Sequence, residues 1–162
     1  MKLSGSCHCG AIHFDVESKT PYPYMRCYCS VCRKTTGAGG YAINLMGEAE
    51  SLQIHDPHKV RKIYQAEFET GVSPAERSFC GRCGSHLWLW DPRWPALVHP
   101  LAAAIDTPLP KPPETVHILL ESKPDWVDVA EGPDQAHFQE YPELSIEDWH
   151  KRHGLYENKD TS

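Results

Sequence analysis

The chain has 162 residues, 40% of them apolar, with 11 Gly, 14 Pro and 7 Cys. That length suits one domain able to bury roughly two-thirds of its unfolded surface, so no disulfide framework is needed, and the composition excludes collagen, coiled coil and low-complexity sequence. Twenty-two acidic against 16 basic residues leave a charge of −6 at pH 7, which disfavours a nucleic-acid partner.

Residues 1–6 contain no apolar core of a signal peptide, and Cys7 follows too soon for one. Residues 101–105 form a core-sized apolar run, and nothing approaches the 18 or so residues of a membrane span. An odd count of seven cysteines suits a fully paired secreted scaffold poorly. The expected compartment is the reducing cytoplasm, where clustered thiols serve as metal ligands or nucleophiles.

In chain order, Ile12, Phe14 and Val16 alternate with His13, Asp15 and Glu17, the period of a half-buried strand. Short β-leaning runs follow at 41–45, 51–54 and 60–64, with turn signals at 37–40 and 55–57. A second group of candidate strands lies at 77–79, 86–90, 116–120 and 126–129. Many short strands with frequent breakers predict a mainly-β fold rather than a βαβ array. Seven prolines between Pro92 and Pro113 exclude a long helix or central strand there; the expectation is an irregular loop with a short strand near 97–105. A short C-terminal helix is predicted, started by Ser145 with Asp148 three residues on and stopped by Gly154. The expected organisation is a single domain over residues 1–156 and a frayed tail at 157–162.

All seven cysteines fall in three segments: Cys7-His8-Cys9, Cys27-Tyr28-Cys29-Ser30-Val31-Cys32 and Cys80-Gly81-Arg82-Cys83. Thiolates two or three residues apart on a tight turn can reach one metal at about 2.3 Å, whereas an extended strand splays them. Buried structural thiols or a redox dithiol would explain one such pair, but three clusters favour a metal, zinc above iron. Seven sulfurs make one closed set of four with three left over. Structural zinc keeps four protein ligands and catalytic zinc keeps three and an open position, so the count predicts one site of each kind. Cys27, Cys29 and Cys32 form the only three-cysteine cluster. The competing reading is that a histidine, His8 or His86 being near a cluster in sequence, completes the second site and makes it structural.

The segments around these motifs, residues 5–14, 26–37 and 78–87, together resemble the glutathione-dependent formaldehyde-activating enzyme family, which includes centromere-protein-V-like proteins. The resemblance runs from about residue 5 to 143. It implies a β-tent of twisted antiparallel sheets with zinc knuckles, like that of methionine sulfoxide reductase B. It also implies that Cys7, Cys9, Cys80 and Cys83 hold a structural zinc, and Cys27, Cys29 and Cys32 a catalytic one. The family usually has histidine where this chain has Tyr28.

The function expected is that of a zinc-dependent carbon–sulfur lyase acting on a small thiol or thiol–aldehyde adduct, with no nucleic-acid or membrane partner. Arg33 and Lys34, directly after the last ligand, are expected to offset an anionic site or hold a substrate carboxylate. Thr35, Thr36 and Gly37 are candidates to line the same pocket. Trp88, Trp90, Trp94 and Trp126 are candidates for a cleft wall, though core packing is the commoner fate of tryptophan. The alternatives are a non-catalytic zinc-stabilised interaction domain and a thiol oxidoreductase. The second needs a metal-free cysteine that this division does not leave.

Overall fold

The computed structural model of the chain describes residues 1–36 and 39–155; Gly37, Tyr156 and the expected tail 157–162 lie outside them. The N-terminal third contains β1 (Lys2–Ser6), β2 (His13–Glu17), β3 (Tyr24–Cys27), α1 (Ser30–Thr36), β4 (Ala42–Asn44), β5 (Gly47–Glu48) and β6 (Gln53–His55). There follow β7 (Arg61–Tyr64), β8 (Glu67–Phe68), β9 (Gly71–Val72), β10 (Glu76–Cys80), β11 (His86–Trp90) and β12 (Leu97–Pro100). The chain then forms β13 (Thr115–Ile118), β14 (Gln135–His137) and α2 (Ile146–Arg152).

The alternation expected around Phe14 is present in β2, which buries Phe14 and Val16 and exposes His13 and Glu17. It lies between β1 and β6 in an antiparallel three-stranded sheet. A five-stranded antiparallel sheet runs in the order β5-β12-β11-β10-β7, and a four-stranded sheet in the order β14-β13-β3-β4. This is the mainly-β tent expected from the sequence. Leu3, Ile12, Phe14, Val16, Leu45, Leu87, Trp88, Val98 and Ile118 fill the space between sheets, with Cys7, Cys27, Cys32 and Cys80 in the same cluster. Burying each large apolar side chain stabilises the fold by roughly 1.5–3 kcal/mol. Phe14 meets Trp88 edge-on, with ring centroids 5.0 Å apart. Gly5 permits that packing: a Cβ there would stand 2.4 Å from Phe14 Cζ and 2.5 Å from the Ala104 carbonyl oxygen.

The structure corrects four details of the sequence reading. The four-stranded sheet is mixed, with β13 parallel to both β3 and β14. A central strand does occur in the proline-rich stretch: β12 lies between β11 and β5, and Pro100 is tolerated as its last residue. Residues 126–129 form no strand, and Trp126 is 69% exposed. Finally, α1 is a helix inside the second cysteine motif. The C-terminal helix α2 follows its expectation: Ser145 Oγ accepts from the Asp148 amide at 3.1 Å, and Gly154 takes φ +65° beyond its end. Among the described residues no helix is long and apolar enough to cross a membrane.

Candidate metal centres and the adjoining cleft

The first cluster joins two turns from opposite ends of the chain. After β1 the backbone folds back, with the Cys7 amide donating to the Ile12 carbonyl and the Gly10 amide to the Cys7 carbonyl at φ +71°. Between β10 and β11 the Gly84 amide donates to the Cys80 carbonyl at φ +78°. Both glycines adopt the left-handed conformation that a tight knuckle requires. The His8 amide donates to Ser85 Oγ at 3.1 Å and ties the two turns together. The sulfurs of Cys7, Cys9, Cys80 and Cys83 consequently lie within 4.8 Å of one another. Hydrogen bonding by the Ser85 hydroxyl is foremost in lowering Cys83 to about 5. The Ala11 amide favours the Cys9 thiolate, but desolvation and the neighbouring sulfurs push Cys9 up to about 11.

The second cluster is built where β3 runs into α1. Cys27 ends the strand, and the first turn of the helix brings Cys32 round so that its amide donates to Cys29 Sγ at 3.3 Å. The three sulfurs of Cys27, Cys29 and Cys32 lie within 4.8 Å of one another, Cys27 and Cys32 being buried. Hydrogen bonds from Cys27 and then Cys32 pull Cys29 down to about 2. The reciprocal bonds to Cys29 and Cys32, with burial, drive Cys27 far up. Cys27 favours the Cys32 thiolate, but Cys29 and burial outweigh it and hold Cys32 at about 11. One thiolate is thus well supported and the next two are opposed. Full ionisation requires a cation at the centre, and a soft all-sulfur set of this kind fits a thiophilic divalent metal. Each group could hold a metal ion. Among the described residues no histidine or carboxylate joins either one, so neither His8 nor His86 completes the second.

Behind the second cluster lies a polar chain that sequence reading did not find. Tyr28 is fully buried, and its hydroxyl donates to His117 Nδ1 at 2.8 Å. His117 Nε2 donates in turn to Gln135 Oε1 at 2.9 Å, which fixes the tautomer and leaves Nδ1 as acceptor. Burial, foremost, keeps His117 below the ordinary imidazole range. The available signal was a histidine inside the apolar run 116–120.

A cleft of about 670 Å³ opens beside the first cluster, bounded by Cys7, His8, Ser85 and His86 on one side and on the other by Thr35 and Thr36 of α1, the helix that carries Cys32. Thr36 Oγ1 also donates to the Cys32 carbonyl at 2.6 Å. Arg33 is half-buried and Lys34 exposed on the same helix. The four candidate tryptophans line neither this cleft nor the smaller cavity beside it. Trp88 is core, while Trp94, with the Arg93 guanidinium 4.9 Å over its ring, and Trp126 face outward.

Residues 2–122 match the family model described as "Glutathione-dependent formaldehyde-activating enzyme". A Halomonas elongata protein named "Putative glutathione-dependent formaldehyde-activating enzyme" is 57% identical over 157 residues, covering 97% of this chain and 99% of that protein. A crystal structure of a Rhodobacter sphaeroides protein is similar with a TM-score of 0.53 at 27% identity, covering 68% of this chain and 92% of that one. The chain belongs to the glutathione-dependent formaldehyde-activating enzyme family.

Proposed function

We propose that the protein is a cytoplasmic, zinc-dependent carbon–sulfur lyase-type enzyme that reversibly forms or cleaves a small thiol–aldehyde adduct. Glutathione and formaldehyde are the pair that the relative's name suggests. In this reading Cys7, Cys9, Cys80 and Cys83 hold a structural zinc. Cys27, Cys29 and Cys32 hold a catalytic one, and the fold is a single domain over residues 1–156.

The observation that carries the reading is the inequality of the two sulfur groups, one of four and one of three. Four sulfurs close a tetrahedron; three leave a position for an incoming atom. When bound there, zinc supplies Lewis acidity and lowers the pKa of an incoming thiol. In adduct formation a carbon–sulfur bond forms at the aldehyde carbon, the carbonyl π bond breaks, and the thiol proton ends on the new hydroxyl. Cleavage is the reverse.

The protein's own contribution is placement. The Tyr28–His117–Gln135 chain holds the turn between Cys27 and Cys29, Arg33 and Lys34 offset the net negative charge of three thiolates, and Thr35 and Thr36 shape the cleft wall. Zinc counting with Cys29→Ser and Cys32→Ser tests the assignment. The expected result is two zinc per wild-type chain, and folded variants that keep one zinc and lose thiol–aldehyde exchange measured by NMR. Unchanged zinc, or exchange no faster than in buffer for the wild type, would refute it.

A further inference from the structure

The register of the five-stranded sheet gathers four side chains onto one face. Arg77 on β10 stands opposite Tyr64 on β7, and Phe79, two residues on, shares its side. Between β10 and β11 the pairing passes from Ser78 with Trp88 to Phe79 with His86, so β11 carries one extra residue. That bulge turns His86 toward the same face. Tyr64, Arg77, Phe79 and His86, with Thr35 and Gly84, line a cavity of about 350 Å³. It adjoins the larger cleft through Thr35, Gly84 and His86.

Arg77 is 8% exposed, yet its Nε and Nη1 are sealed from solvent with no hydrogen-bond partner. Neither ring nitrogen of His86 makes a well-formed hydrogen bond, although the Trp88 backbone lies close to the imidazole. Among the described residues no carboxylate pairs with Arg77. Stripping water from a guanidinium without replacing it is costly, so such a group calls for a partner; Arg26 and Arg33 each leave only Nε bare, whereas Arg77 leaves two donors bare beside a cavity. Simple charge balance by the nearby thiols does not account for this, since no sulfur accepts from Nε or Nη1. Burial, and then the Arg77 charge, hold His86 at about 4, so at neutral pH it offers an N–H and Arg77 is the one formal cation lining the cavity. A guanidinium fork with a neutral imidazole beside it matches the two oxygens of a carboxylate. The cavity meets the three-sulfur group's own helix at Thr35, and the Arg77 charge favours the Cys32 thiolate.

We propose that Arg77 and His86 form a carboxylate-binding subsite that anchors the acidic end of the substrate thiol beside Cys27, Cys29 and Cys32. This rests on the lyase reading above for its role, and on the unpaired buried donors for its existence. The test uses zinc-loaded full-length protein and follows the Arg77 Nε–H and His86 imidazole resonances by NMR while propionate, then propionamide, is added. Propionate is expected to move both resonances saturably, and propionamide to leave them in place. In Arg77→Gln the His86 shift should vanish, and Arg77→Lys should restore part of it.

In turnover of glutathione with formaldehyde, propionate should raise KM at constant kcat in the wild type. Arg77→Gln should raise KM about tenfold and lose that competition. Absent wild-type shifts, or shifts that survive in a folded Arg77→Gln, overturn the subsite. If Arg77→Gln does not fold, the wild-type resonances alone decide. Should no thiol–aldehyde turnover be found while the shifts are present, the lyase reading fails and the subsite stands.

Discussion

Tyr28→Phe separates a supporting role of the buried phenol from a chemical one. The substitution keeps the ring, which packs 5.3 Å from Tyr41 and stacks on His117 at 5.8 Å, and removes only the hydroxyl. His117 is 0% exposed and its Nε2 hydrogen is committed to Gln135, so Nδ1 is left as an unsatisfied buried acceptor. That loss costs about 1–3 kcal/mol. With a urea slope of about 2 kcal/mol/M, the unfolding midpoint of the zinc-loaded protein should fall by about 0.5–1.5 M at unchanged slope. Zinc content and thiol–aldehyde exchange should stay within a few-fold of wild type, because the hydroxyl is spent on His117. A midpoint that does not move, with exchange reduced about a hundredfold, would show that the phenol acts on substrate and that the positioning argument is wrong.

Gly5→Ala should destabilise by about 2–3 kcal/mol in the same assay, since the new methyl overlaps both Phe14 and the Ala104 carbonyl. Cys9→Ser should lower the melting temperature far more than Cys29→Ser. A cation bridging Cys9 and Cys80 closes a loop of about 70 residues, worth about 4 kcal/mol of chain entropy, whereas Cys27 to Cys32 is local. Stability should also decline as the pH is lowered from 7 toward 5.5. His86, His99 and His117 are all held below the ordinary imidazole range by burial, so the unfolded chain takes up protons near pH 6.5 that the native chain refuses. His117→Gln should flatten that decline, by at most about 1.4 kcal/mol per pH unit, the limit for one proton; an unaltered slope by denaturation at each pH would contradict it.

What the sequence made legible was local. The alternation in β2 and the Gly84 turn follow from residue types a few positions apart, and Ser145 with Gly154 likewise marked the two ends of α2. The grouping of Cys7 and Cys9 with Cys80 and Cys83 came from resemblance, and the geometry bears it out as a cluster. By contrast α1 was hidden. Its seven residues bury only Cys32, so no apolar stripe marks it, and Val31, Thr35 and Thr36 are β-branched. The strand β3 shows no alternation, its first three residues being half-buried on either face, and its parallel partner is set by packing rather than by any adjacent turn. Arg77 read as an ordinary charge in a strand; only its register opposite Tyr64, beside the bulge at β11, reveals that it lines a cavity.

The parallel union of β3 with β13 bears on how the protein is made. On a ribosome, β3 and the thiols at its tip emerge first, and the edge that Thr115–Ile118 will cover stays open until some ninety further residues have been translated. Over that interval the nascent chain carries reactive sulfur beside an unprotected edge, so premature termination before residue 115 leaves a fragment prone to oxidation and self-association.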